Sequence, residues 1–278
     1  MTKPIAFGCH GSTWELDYDV KSDRLDHILD AIAACGLEGI DAQISLLGRY
    51  YNHPERLKEA LDKRGLRLAA LTVPFTWPEA VETDDERALA DYFIAFLKHF
   101  PGAILNIPAR NGPDRNDLLI RQRAIIDCAN AIARRSNDQG VVASFHPASP
   151  PTSYFRTQED YRVMFDLIDP AFLGWTPDLG HIARGGMDAV ATVKTYRPFI
   201  KHVHIKDYGG RPDAGWRKMG TGDVDFAAMA AFLHSTDYDG WVMVEEETEQ
   251  SAAHPDEAVK DIGEYVSQHL RPVAGGKN

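Results

Sequence analysis

The amino-acid sequence predicts an α/β fold, a (β/α)8 TIM barrel forming a single catalytic domain at residues 1–272, with a flexible tail at 273–278. Three observations predict it. Short apolar runs of strand type alternate with amphipathic helical runs along the whole chain, eight of each can be counted, and most strand-type runs end in His, Asp or Glu. Strict alternation requires parallel strands joined by right-handed helical crossovers, and eight such units favour a closed barrel over an open sheet. The competing fold is a doubly wound sheet, but the first strand–helix junction, Gly8-Cys9-His10-Gly11-Ser12, lacks the G-x-G-x-x-G spacing of a dinucleotide site.

The elements follow in order. A strand at 5–9 precedes a helix at 23–34, whose Leu25, Ile28, Leu29 and Ile32 recur at helical spacing before Gly36. A strand at 39–42 leads to a helix at 54–64, ended by Gly65. Next come a strand at 66–73 and a long helix at 84–100 with Leu89, Phe93, Phe96 and Leu97 on one face. The alternation continues with strands at 103–107, 141–145, 172–175, 200–205 and 241–244, and helices at 118–135, 158–167, 187–196, 226–234 and 258–270.

Composition narrows the function classes. Acidic residues number 41 against 30 basic, a net charge of −11, which disfavours nucleic acid and anionic lipid as partners. No apolar stretch approaches the roughly 18 residues of a membrane span. The N-terminal run is too short for a signal peptide, so a cytoplasmic location is expected. Three widely spaced cysteines suggest neither a disulfide framework nor a thiolate zinc site. The sequence leaves room for a homo-oligomer.

In a barrel the strand ends converge on one mouth, so their chemistry is read together. They are His10, Asp41, His146, Asp178 with His181, His204 with Lys206 and Asp207, and Glu245. In Trp175-Thr-Pro-Asp178-Leu-Gly-His181, the Asp either caps the next helix or faces an ion together with His181. Strand alternation puts His202 and His204 on one face; His204 is nearer the mouth and is the better ligand, while His202 reads as a hydrogen-bonded core residue. Glu245 continues an apolar strand into an acidic run that needs a cation nearby. Asp, His and Glu form an oxygen and nitrogen set suited to a divalent metal ion such as Mn²⁺, Co²⁺, Mg²⁺ or Zn²⁺.

The D-x-G-H element at 178–181, H-V-H-I-K-D at 202–207, G-T-G-D-V-D-F at 220–226 and G-W-V-M-V-E at 240–245 resemble the xylose-isomerase-like TIM-barrel superfamily. Its members include sugar isomerases, ketose 3-epimerases, inosose dehydratase and dehydroshikimate dehydratase. The resemblance implies that Asp178, His204 and Glu245 bind the ion and that His181 contacts substrate oxygens. Lys206, Asp207 and Glu247 would be substrate or supporting groups. Epimerases of this family carry a Glu ligand on the fifth strand, where this chain reads Ser144-Phe-His146-Pro, as in inosose dehydratase-like members. His146 is therefore expected as a fourth ligand or as the base. His10, Trp14 and Trp175 are expected to line the substrate site.

These residues point to a metal-dependent isomerase or epimerase acting on a small polyhydroxy carbonyl compound, a keto sugar or inosose, through a metal-stabilised enediolate. His146, Glu245, His181 and Lys206 are the expected catalytic groups. A dehydratase or lyase of the inosose dehydratase type is the alternative, and a non-catalytic sugar-binding barrel is the alternative of another class. The nuclease branch of the superfamily is disfavoured by the net charge and by Asp223 and Asp225, which lack that branch's D-x-H form.

Overall fold

The computed structural model describes residues 3–78, 80–108, 110–210 and 214–275. Eight parallel strands form the barrel: β1 (Ala6–His10), β2 (Gly39–Gln43), β3 (Arg67–Thr72), β4 (Ile104–Pro108), β5 (Ala143–His146), β6 (Leu173–Trp175), β7 (Val203–Ile205) and β10 (Trp241–Val244). Their hydrogen-bonded order is β6-β5-β4-β3-β2-β1-β10-β7. Among the described residues the remaining edge, between β6 and β7, is closed by two isolated bridges, Trp175 to Ile200 and Asp178 to His204. There the Lys201 N–H donates to the Trp175 carbonyl at 3.1 Å and the His204 N–H to the Pro177 carbonyl at 2.8 Å.

The outer layer contains α1 (Leu25–Ala34), α2 (Pro54–Asp62), α3 (Asp84–Leu97), α4 (Leu118–Asp138), α5 (Gln158–Leu167), α6 (Leu179–Arg184), α7 (Ala189–Thr195), α8 (Phe226–Ser235), α9 (Glu249–Ala253) and α10 (Pro255–Tyr265). Local chemistry fixes several starts. Thr83 and Glu86 form a reciprocal capping box on α3, and Thr157 with Asp160 does the same on α5. Pro54 and Pro255 occupy first-turn positions, where the missing N–H costs nothing. Strand residues facing outward, such as Phe7, Ile40, Leu71, Leu105 and Phe145, join the buried helix faces in the main core. Among the described residues no helix is long and apolar enough to cross a membrane.

Every expected strand and helix appears within a few residues of its expected place, and two further helices and two further strands were not anticipated. Helix α6 is only six residues long and contains Gly180, so its sequence resembles a loop. Strands β8 (Asp207–Gly209) and β9 (Gly215–Arg217) form an antiparallel hairpin too short to show alternation. Helix α9 is one turn long and begins at the Thr248 cap. The expected helix at 258–270 instead starts at Pro255 and passes into a π turn at Val266–Leu270. The expected tail also differs within the described residues. Ala274 is buried, and its carbonyl accepts the Ile5 N–H at 3.2 Å, which ties the segment after Pro272 to the barrel floor; residues 276–278 lie outside the described residues.

Candidate metal and substrate site

Neighbouring strands end in register at the mouth. Pairing of Gly8 with Met243 and of Met243 with His204 brings the ends of β1, β10 and β7 together, and His10 is paired with Asp41 on β2. As a result the ligand atoms of His146, Asp178, His204 and Glu245 all lie within 4.8 Å of one another, and all four residues are buried. These are the four residues expected as metal ligands.

Each member offers one atom to the shared point and has the other atom, where it is engaged, held from behind. The Asp178 Oδ1 accepts the His181 N–H at 2.9 Å as the cap of α6, so the capping and site roles coincide in one carboxylate. Its Oδ2 has no hydrogen-bond partner. The Glu245 Oε2 is held by the Ser12 hydroxyl and by His10 Nδ1 at 3.3 Å, leaving Oε1 without a hydrogen bond. His204 Nε2 faces the Asp41 Oδ2 at 2.9 Å and leaves Nδ1 without a hydrogen bond, 3.3 Å from Glu245 Oε1, and His146 Nε2 likewise has none, 3.6 Å from Asp178 Oδ2. These four buried atoms lack a hydrogen bond and face one another only at ion-pair distance, an arrangement that a shared cation would satisfy better. The donor set of two carboxylate oxygens and two imidazole nitrogens fits a divalent ion of the Zn²⁺, Mn²⁺ or Co²⁺ type.

Beneath the cluster lies a polar floor centred on Asp41, a strand-end residue to which the sequence alone attached no role. Its carboxylate meets His204 at 2.9 Å, His202 at 3.2 Å and the Thr72 hydroxyl at 2.7 Å. Burial opposes its charge, but the rings of His10, His202 and His204 outweigh that and hold the carboxyl well below the usual range. His202 is thus the hydrogen-bonded core histidine that strand position implied. Asp41 fixes the tautomer and orientation of His204, the usual service of a carboxylate behind a metal-binding imidazole.

Lys206 is fully enclosed between Asp178 Oδ2 at 3.3 Å, Glu245 Oε1 at 3.4 Å and the Glu247 carboxylate, with which it forms a close ion pair. Burial disfavours its charge, but the three carboxylates prevail and keep it protonated. The same ammonium, after burial is set against it, holds Asp178 and Glu245 below their ordinary values. Burial pushes His181 down to about 3 and also lowers His146, so both rings are neutral near pH 7. His181 Nδ1 lies 2.9 Å from the Ser149 hydroxyl. Gly180 is required at its position: a Cβ there would sit 2.5 Å from Lys206 Cγ and 2.6 Å from its carbonyl oxygen.

A cavity of about 450 Å³ opens above these groups, bordered by His10, His146, His181, His204, Lys206, Glu245 and Glu247. Three expected substrate residues are not on its wall. Trp175 faces outward from β6 and packs edge-on against Phe165 and Tyr161 beneath the helices, because on a three-residue strand the inward positions fall to Gly174 and Thr176. Trp14 turns its indole N–H to Asp256 at 2.8 Å, so the same loop presents Leu16 and Tyr18 to the cavity instead. The Asp207 carboxylate is consumed by backbone N–H groups of Tyr208, Gly220 and Gly222, each at 2.9 Å, and organises the 218–224 loop. Tyr18 has no sequence signal: it lies in a polar loop, and only the fold brings it over the cluster. Trp216, on β9, stands against the His181 ring at 5.4 Å and the Lys206 ammonium at 4.9 Å.

A model of the xylose isomerase-like TIM barrel family matches residues 29–268. The chain belongs to that family. Among its relatives, the inosose dehydratase of Geobacillus kaustophilus (strain HTA426) is 24% identical over 275 residues, covering 87% of this chain and 86% of the relative. The crystal structure of the probable 3-DHS dehydratase AsbF from Bacillus anthracis superimposes with a TM-score of 0.73 at 15% identity, over 95% of this chain and 99% of that one. The IOLI protein with a bound zinc atom gives a TM-score of 0.72 at 17% identity, over 95% and 99%. Both structural likenesses describe the barrel.

Proposed function

We propose that this family member is a divalent-metal-dependent enzyme that removes a proton beside the carbonyl of a small polyhydroxy compound, a keto sugar or cyclitol ketone. The observation that carries the reading is the convergence of four buried ligand atoms without a hydrogen bond, on His146, Asp178, His204 and Glu245, within 4.8 Å of one another. A divalent ion held there supplies electrostatic stabilisation for the negative charge that develops on the substrate's oxygens as the neighbouring carbon loses its proton.

The chain's own residues account for the rest. His146 Nε2 is neutral and faces the shared point, so it either closes the ligand shell or accepts the proton. His181 lines the wall one helical turn from Asp178 and is placed to hold a substrate hydroxyl. The Lys206 ammonium, kept charged by its three carboxylates, places a positive charge beside an oxygen that gains negative charge. In elimination the proton that the base takes from carbon leaves on the departing hydroxyl as water, and the adjacent positive charge eases that C–O cleavage, so elimination, the dehydratase reading, is favoured. The full-length similarity to inosose dehydratases supports it. Isomerisation or epimerisation is the second reading. Against a symmetric epimerase stands β5, where Ser144 is buried against the Thr176 hydroxyl at 2.7 Å and offers no carboxylate.

His146→Ala is expected to lower kcat by at least ~100-fold, the scale of a lost general base. Elemental analysis separates its two uses, because metal content falls with the variant only if His146 is a ligand. Near wild-type turnover with full metal content would remove His146 from the chemistry.

A further inference from the structure

Helix α6 runs along one wall of the cavity, and Asp178, His181 and Arg184 follow one another at three-residue spacing on a single stripe of it. Asp178 caps the helix beside the four-residue cluster, and Arg184 is its last residue, roughly 9 Å further along the axis at the helical rise. The Arg184 guanidinium lies over the Trp216 ring at 5.2 Å, on a ring that already receives Lys206 and His181. It borders the cavity. The other two cations on this wall are already matched, Lys206 by three carboxylates and Arg110 by a two-pronged pair with Asp19 at 2.6 and 3.1 Å. Among the described residues Arg184 makes no ion pair. A half-buried, planar fork of donors stacked on an aromatic ring, bordering both this cavity and a second one of about 630 Å³, is suited to an oxyanion.

We infer that the substrate carries an anionic group, a carboxylate or a phosphate, which Arg184 binds at the far end of the cavity from the metal cluster. The inference rests on the proposed function, since it assigns the polyhydroxy carbonyl end to that cluster. It also divides the possible substrates by charge: a neutral cyclitol ketone leaves Arg184 without a partner.

The test is calorimetric titration of the Mn²⁺-loaded and the chelated wild type with two matched pairs, shikimate against its methyl ester and glucose 6-phosphate against glucose. In the loaded protein the charged member of one pair should bind at least ~10-fold tighter than its neutral partner, the gain of a charge-assisted double hydrogen bond. Which pair shows the gain distinguishes carboxylate from phosphate. R184M should reduce the ratio to within about 3-fold while neutral ligands bind as before, and R184K, which keeps the charge but loses the fork, should give an intermediate ratio. A wild-type ratio below about 3-fold in both pairs overturns the inference, as does a large ratio that survives in R184M. The proposed function is read separately, from whether Mn²⁺ raises the affinity of the neutral ligands.

Discussion

Glu245→Gln is expected to abolish stoichiometric divalent-ion binding, about one ion per chain in the wild type, without unfolding the barrel. The carboxylate is buried, with Oε2 held by Ser12 and His10 and Oε1 turned toward the cluster beside Lys206 and His204. An amide can keep the first contacts through its oxygen but supplies no charge to the ion. In wild type, Mn²⁺ or Co²⁺ at ~100 times its dissociation constant stabilises by about 2.7 kcal/mol, equivalent to a Tm increase of about 5 to 10 °C for a chain of this size. The variant should show no such increase, and turnover should drop by roughly 10³-fold, since electrostatic assistance by the ion amounts to several kcal/mol. No metal in the purified wild type together with no Tm response to added ion would refute the site.

The second large effect concerns the substrate. Incubation of the metal-loaded protein with a keto sugar or an inosose in D₂O is expected to exchange the hydrogen beside the carbonyl, because proton removal precedes every outcome considered. Mass spectrometry of the product then separates them. An isomer keeps the substrate's mass apart from the label, whereas elimination gives a product lighter by one water, the result expected from the charged Lys206 at the wall. A panel that includes anionic members and yields neither exchange nor product with metal bound would favour a sugar-binding barrel without catalysis.

The barrel was legible because its determinant, alternation of strand and helix periods, is a property of contiguous sequence. The four-residue cluster was legible for a related reason: in a closed barrel, strand ends meet, so His10, Asp41, His146, Asp178, His204 and Glu245 could be placed around one mouth without any distance, and the family resemblance singled out four of them. Strand facing was harder. Trp175 and the residues below the mouth differ only by one step of alternation, and on a three-residue strand the sequence does not show which step faces inward. Asp207 looked like a site residue because it follows His204 and Lys206. Only the returning 218–224 loop, where a Cβ on Gly222 would lie 2.2 Å from the Asp207 carboxylate oxygen, shows that its oxygens are already committed. Asp41 and Tyr18 act through partners far away in sequence, so nothing local distinguishes them from an ordinary strand end and an ordinary loop aromatic.

The edge between β6 and β7 is laced far more thinly than the rest of the sheet, and one of its two stitches joins Asp178 to His204. An ion gripped by both side chains, as proposed above, would act as a rivet across this thinly laced seam. Local opening there would then have to release the ion first, which would link occupancy and breathing of the wall thermodynamically. Removing the ion with a chelator is expected to speed hydrogen exchange of the Lys201 and His204 amides, by up to ~100-fold relative to protein held at ~100 times the ion's dissociation constant, with little change in the β1 to β4 ladders. Uniform acceleration across all strands would mean that the cylinder opens as one unit and that its seam has no separate motion.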